Sequence, residues 1–290
     1  MKLTELFAKD TRNLSFEVFP NKKPENLESV KAKTAKIAAL HPAFMSVTYG
    51  AGGGTSQFTL EIAKNIEQNC GVPVLAHLTG VSSTKEIVAQ RIEELKAAGI
   101  QNIMALRGDL TPEMEGADRT DWAYKYAIDL IRELKEKGDF CIGSGCYPEV
   151  HPEAANMIED IRHIKEKVDA GCDFLTSQLF FDNAIFYDYL YKIREAGVAV
   201  PVIPGIMPVT NAKQMERSIQ MSGSFIPRHF KALLERFGNN DAAMKQAGIA
   251  YATEQIIDLY ANGIKTVHVY TMNNPEVAEK IMVNVKDFLG

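Results

Sequence analysis

The feature that most constrains this chain is an alternation. Eight short apolar runs are each followed by a longer stretch with helical periodicity. The runs are 14–19 (LSFEVF), 44–49 (FMSVTY), 73–79 (PVLAHLT), 102–108 (NIMALRG), 140–147 (FCIGSGCY), 174–181 (FLTSQLFF), 201–207 (PVIPGIM) and 266–272 (TVHVYTM). Each is too short for a helix, and most are apolar on both faces, as strands of a parallel sheet must be. Regular strand–helix alternation without a break in composition predicts a single-domain α/β fold over residues 1–290. Eight such units match a (β/α)8 TIM barrel. A doubly wound sheet is the competing architecture, but its fingerprint is missing. Gly50, Gly52, Gly53 and Gly54 do not make G-x-G-x-x-G, since Thr55 holds the last position, and no Lys-Ser/Thr pair makes a P-loop.

The intervening segments read as amphipathic helices. Met157, Ile161, Ile164 and Val168 line one face, and Val88, Ile92 and Leu95 line another behind a capping box from Ser83 to Glu86. Ala127, Leu130, Ile131 and Leu134 do the same in the next unit. Gly71, Gly99, Gly138, Gly171, Gly197 and Gly263 each stand where a helix should close before a strand, with His41-Pro42 in that place before the second strand. The long stretch 208–262 reads as two or three helices with a surface insertion around Ser222–Arg228.

Composition excludes several classes of function. A formal charge of −5 provides no basic excess to neutralise nucleic-acid phosphates. The first residues hold no apolar run long enough for a signal peptide or a membrane span, so a cytoplasmic setting is expected. Cys70, Cys141, Cys146 and Cys172 form no CxxC pair. Alternation points Cys141 and Cys146 to opposite faces, so all four are expected to be reduced and structural. No histidine pair has metal-ligand spacing with a carboxylate, and no metal is expected.

In a barrel, chemistry gathers at the C-terminal ends of the strands. Those ends and the loops after them supply Glu17, Thr48, His77, Arg107 with Asp109, Tyr147 with His151, and Gln178. Six consecutive strands thus aim polar groups at one rim. Glu17 lies between Phe16 and Val18, where burial raises a carboxyl pKa and suits it to general acid catalysis; pairing with Lys22 or Lys23 is the plainer alternative. Taken alone, Asp109 reads as a turn-forming residue and His77 and His151 as satisfied core histidines. Phe180 and Phe181 read as packing, and the charges at 132–137 and 162–169 as solvated helix faces.

The strings SFEVFP, FMSVTYGAGG, AHLT, ALRGD, YPEVHPEA, KVDAGCDFLTSQLFFD and VIPGIMP resemble methylenetetrahydrofolate reductases of the bacterial single-domain type, in order and over nearly the whole chain. The resemblance implies a barrel that holds FAD and passes a hydride to 5,10-methylenetetrahydrofolate, giving 5-methyltetrahydrofolate. NAD(P)H or a redox partner protein would supply the electrons, and the chain would form a homo-oligomer. It implies that Glu17 is the acid that opens the folate's five-membered ring to an iminium cation, and that Asp109 lies near flavin and pterin. It places Gln178 and Gln214 on the folate. Thr48, Tyr49, Ala51, His77, Arg107, Gly108, Asp109, Tyr126, Ala127, Tyr147, His151, Ala154, Asp160 and Lys167 match its FAD-contacting positions. His163 and Glu166 replace an FAD-contacting Asn and Arg. Ser218 stands where some relatives have a stacking Phe, and Asn274 where they have an Arg. No S-adenosylmethionine-binding regulatory domain is expected after the barrel. Two other readings stay open: another flavin barrel, such as a proline-dehydrogenase-like oxidase, and a flavin- or folate-binding subunit without independent turnover.

Overall fold

The computed structural model describes residues 1–21, 24–49, 56–81, 83–110, 122–213, 215 and 222–290. The expectations for Lys22, Lys23, the glycines at 50 and 52–54, Ala51, Gln214 and Ser218 lie outside the described residues.

The apolar runs become nine strand segments: β1 (Asn13–Val18), β2 (Met45–Val47), β3 (Val74–Thr79), β4 (Asn102–Leu106), β5 (Cys141–Cys146), β6 (Phe174–Ser177), β7 (Val202–Ile203), β8 (Gly205–Ile206) and β9 (Thr266–Tyr270). They form one sheet, ordered β7-β6-β5-β4-β3-β2-β1-β9-β8, and every pairing is parallel. The extra segment corrects the reading of 201–207 as one unbroken strand. Proline has no N–H for a ladder, so Pro204 divides that stave. Its first half pairs with β6 (Leu175 opposite Val202) and its second with β9 (Gly205 opposite His268). The broken stave closes the ring, and eight staves remain.

The helices described are α1 (Leu3–Phe7), α2 (Leu27–Ala38), α3 (Ser56–Lys64), α4 (Lys85–Ala97), α5 (Ala127–Lys137), α6 (Met157–Asp169), α7 (Asn183–Glu195), α8 (Arg228–Phe237), α9 (Asp241–Ala261) and α10 (Pro275–Val285). Their apolar stripes cover the outward residues of the strands; Leu130, Ile131 and Leu134 of α5 pack with Ile103, Ile142 and Ile164 in the main core. Two local expectations are corrected. The cap of α4 is Thr84 rather than Ser83: its hydroxyl accepts the N–H of Ile87, one residue later than the expected box. Gly138 is extended at φ −174°, while the other five glycines of that set turn left-handed, with φ between 68° and 109°. His41 takes the same left-handed conformation at φ 53°.

A second core fills the bottom of the barrel. Phe44, Leu75, Met104, Cys141, Phe174 and Ile203, all inward-facing near strand starts, pack against Leu3 and Leu6 of α1. Sequence reading found no structure in this first segment. A helix of one turn is unstable alone and exists here because tertiary contacts hold it. Asn102 holds it in place: its side-chain oxygen accepts the Leu3 N–H at 2.8 Å, and its amide donates to the Met1 and Val74 carbonyls, each at 3.1 Å. The four cysteines are free; Cys141 lies in this floor and Cys146 in the outer core, on opposite faces as alternation requires.

Candidate active site

Two facing walls of different chemistry stand at the C-terminal end of the barrel. The first comes from β1, β2, β3 and β9. Strand alternation turns Ser15 and Glu17, Ser46, His77, and His268 and Tyr270 to the interior. Glu17 Oε2 lies 3.7 Å from His77 Nε2, 4.0 Å from His268 Nε2 and 3.4 Å from Ser46 Oγ. The Glu17 side chain is only 20% exposed. Burial raises its carboxyl pKa to about 7, well above the ordinary range. Burial also depresses the histidines, His77 to about 4 and His268 to about 3, so both are neutral near neutral pH. Among the described residues of this wall, no fixed cation draws a proton off Glu17. The end of β1 is clipped to the loop after β9. Thr271 Oγ1 donates to the Glu17 carbonyl at 2.7 Å, and Asn273 bonds both the N–H and the C=O of Phe19.

The second wall, from the ends of β4 and β5 and from α6, is charged and partly wet. Arg107 pairs with Glu153. The Tyr147 and His151 rings meet edge to face with centroids 4.5 Å apart. Asp160, buried, accepts the backbone N–H of His151 at 3.0 Å. Lys167 turns inward, against the expectation of a solvated face over 162–169: its Nζ donates to the Gly145 carbonyl at 2.5 Å, and burial lowers its pKa. Burial, with Asp109 adding to it, pushes the Tyr147 phenol up to about 12. Val150, between them, sits at φ 73°, a costly conformation for a β-branched residue and a sign of a constrained loop.

Between the walls, the backbone at Gly108 comes so close to β3 that a Cβ there would lie 2.6 Å from Val81 Cγ1 and 2.9 Å from Thr79 Cβ, and its φ is +93°. Only glycine satisfies both conditions. Beside it, the Thr79 hydroxyl is buried with no hydrogen-bond partner among the described residues. Such a group is open to a partner beyond the described residues.

The remaining expected residues divide. Thr48 is held at the end of β2, its N–H on the Val18 carbonyl at 3.0 Å. Asp109 is exposed at the rim three residues past β4. Gln178 follows β6 directly, and its side-chain oxygen accepts the Leu179 N–H at 2.9 Å, leaving the amide N–H groups toward the mouth as its remaining donors. Ala154 closes a turn on His151. Tyr126 caps α5, at 60% exposure, and Ala127 begins that helix. Tyr49 turns away from the mouth: it is buried in the outer core, with its phenol against Arg91. His163 lies on the outer side of α6, bonded to Glu166 at 3.0 Å, while Glu166 also binds Arg162 at 2.9 Å. Asn274 caps α10, accepting the N–H groups of Glu276 and Val277. Phe180 and Phe181 are buried packing, as expected. Sequence reading missed Ser15, Ser46 and His268. Inward parity with Glu17 on β1 was the signal available for Ser15; nothing local links the other two to it.

The family model for methylenetetrahydrofolate reductase matches residues 2–286. Among curated relatives, 5,10-methylenetetrahydrofolate reductase of Escherichia coli is 35% identical, over 93% of this chain and 89% of its own length. Methylenetetrahydrofolate reductase (NADH) 1 of Zea mays is 35% identical over 98% of this chain, which spans only 50% of that relative; the chain thus covers about half the length of the plant proteins. A solved protein from Clostridium thermocellum, described as binding two copies of 5-methyl-5,6,7,8-tetrahydrofolic acid, superposes with a TM-score of 0.69 over 99% of this chain and 98% of its own, at 14% identity, a likeness of fold. With a closed parallel barrel, a shielded carboxyl at its mouth and matches that run the length of the sequence, the chain belongs to the methylenetetrahydrofolate reductase family.

Proposed function

We propose that this chain reduces 5,10-methylenetetrahydrofolate to 5-methyltetrahydrofolate, with FAD as its cofactor. The observation that carries this reading is the setting of Glu17, a shielded carboxyl at the barrel mouth beside His77 and His268; burial raises it to about 7, a value matched to donating a proton near neutral pH. The folate named for the Clostridium thermocellum neighbour, on the same fold, agrees with the substrate class.

The residues present fit a flavin dinucleotide. Arg107 and Lys167 supply two cations for a pyrophosphate, and the hydroxyl of Thr79, packed under Gly108 and without a partner among the described residues, offers a hydrogen bond. When bound, FAD supplies the hydride chemistry. The protein's own work is to place the folate and move one proton. Gln178 donates to the pterin from the end of β6. Glu17 gives its proton to the ring nitrogen of the five-membered ring, which opens to the cationic acceptor. Asp109, exposed at the rim, is the side chain we assign to favouring that cation's formation. His77, neutral at 3.7 Å, leaves the proton on Glu17 until substrate takes it.

NADH is the first donor to test, since the plant relatives carry it in their names. A subunit that receives electrons from a partner is the second reading. It is kept open by Ser218 and by Asn274, which stands where some relatives have an Arg and caps α10 instead. The purified chain is expected to be yellow, to release FAD on heating, and to be bleached by NADH. Glu17→Gln should leave that bleaching intact and slow reoxidation by methylenetetrahydrofolate by about 10²–10⁴-fold. Bleaching by dithionite alone points to the partner-dependent reading, and a Glu17→Gln variant with full folate turnover would sink the assignment of the acid.

A further inference from the structure

We propose that Ser15, His268 and Ser46 form a one-way hydrogen-bond chain that presents Glu17 with an acceptor rather than a donor, making His268 a positioning residue of the reaction. This deepens the reading above and rests on Glu17 being the acid.

The direction of the chain is set at its far end by a backbone carbonyl. Ser15 Oγ lies 3.1 Å from the Val267 carbonyl, which can only accept, and the single hydroxyl proton of Ser15 is assigned there rather than to the ring. The 2.8 Å contact between Ser15 Oγ and His268 Nδ1 then needs its proton from the ring, which makes His268 the Nδ1–H tautomer. Burial keeps the ring neutral, so Nε2 carries a lone pair. Ser46 Oγ stands 2.9 Å from Nε2 and 3.4 Å from Glu17 Oε2, and it has one proton to give. Given to the carboxylate, it would leave Nε2 a buried, unpaired acceptor, which is unfavourable. Given to the ring, it satisfies Nε2 and turns the lone pairs of Ser46 toward Glu17. A protonated carboxyl completes that arrangement as donor; an ionised one would face another acceptor.

The ring cannot turn to escape this role. His268 is 2% exposed, stacked on Phe44 at 5.5 Å with 8° between planes, and met edge-on by Tyr270. Among the described residues, the other groups facing Glu17 do not compete. His77 from β3 is neutral and 3.7 Å away, beyond hydrogen-bond length. The Tyr270 phenol from β9 is committed to the Ser177 carbonyl at 2.6 Å.

The first test needs no folate. In the ¹⁵N-labelled full chain, long-range ¹H–¹⁵N correlation should show His268, identified by its loss in His268→Gln, as the Nδ1–H tautomer from pH 6 to 9; an Nε2–H tautomer overturns the proposal. The second test is kinetic. His268→Phe frees the Ser46 proton for the carboxylate. The alkaline limb of the folate half-reaction should then move about one pH unit lower and the rate at pH 8 should fall about tenfold, with flavin reduction unchanged. Ser46→Ala should move the limb in the same direction. His268→Gln, whose amide can accept from Ser46 and donate to Ser15, should restore most of the rate. A limb that stays in place or moves alkaline in Ser46→Ala shows that Ser46 donates to the carboxylate, and the chain is wrong. Should His268→Phe not fold, the tautomer and Ser46→Ala decide. If the wild type shows no folate half-reaction, the functional reading fails, and the tautomer measurement still decides the hydrogen-bond chain.

Discussion

The floor and the mouth of this barrel are built on the same strands and the same inward faces, two residues apart. At the floor the ring is Phe44, Leu75, Met104, Cys141, Phe174 and Ile203. Two residues further along each strand stand Ser46, His77, Leu106, Gly143, Thr176 and Gly205. One step of the pleat changes a closed apolar plug into a ring that, Leu106 apart, is made of small, polar and titratable residues. The lower ring is fully apolar and sealed by α1; the upper ring shields groups that would rather be hydrated, His77 and His268 among them. Stability and chemistry are thus separated along the strand axis, and each region should answer to mutation in its own way.

The largest effect is expected from the floor. Phe174→Ala opens a cavity where the side chain is fully buried, and should cost about 3–5 kcal/mol in denaturant unfolding. The folded variant should keep the pH dependence of the folate half-reaction, and a shifted limb would show that floor and mouth are coupled. The next effect has the opposite sign and comes from the mouth. A carboxyl whose pKa is raised by folding stabilises the fold in its protonated form. For Glu17 that contribution is whole below about pH 4.5 and is lost as pH rises through about 7. Glu17→Gln should therefore be more stable than the wild type at pH 8, by up to about 3 kcal/mol, and gain nothing at pH 4. Equal melting curves at both pH values would mean that the carboxyl is hydrated after all. The smallest effect tests the seal. Asn102→Ala removes the three hydrogen bonds that tie the start of the chain to β3 and β4, at a cost of about 1–3 kcal/mol. Amide exchange should quicken in residues 1–7 while protection in β1 and β9 is kept; uniform loss would make α1 part of the cooperative core.

Much of this was legible in the residues. Parallel strands buried on both faces are short and apolar, and all eight runs contain strand. Glu17 stood out because a lone carboxylate between Phe16 and Val18 is costly unless it is used. Pro204 was in view, but the break it makes was not, because the missing N–H matters only once the neighbours of that stave are known. The cap of α4 slipped by one residue because Ser83 and Thr84 are both good caps and only the backbone path chooses between them. Periodicity left Lys167 in a run of charges, since it does not say which member of a solvated face turns inward; only the family resemblance singled it out.

What the sequence by itself determined is the repeat, its eightfold count, the end of the barrel where polar residues collect and which acidic residue, Glu17, stands there among apolar neighbours. These follow from patterns of period 2 and 3.6, which are local. Only the tertiary structure decided what surrounds that acid. Ser46 lies 222 positions from His268, and Ser15 lies 253 from it. They meet because β9 closes the ring against β1, and closure is a property of all eight staves at once.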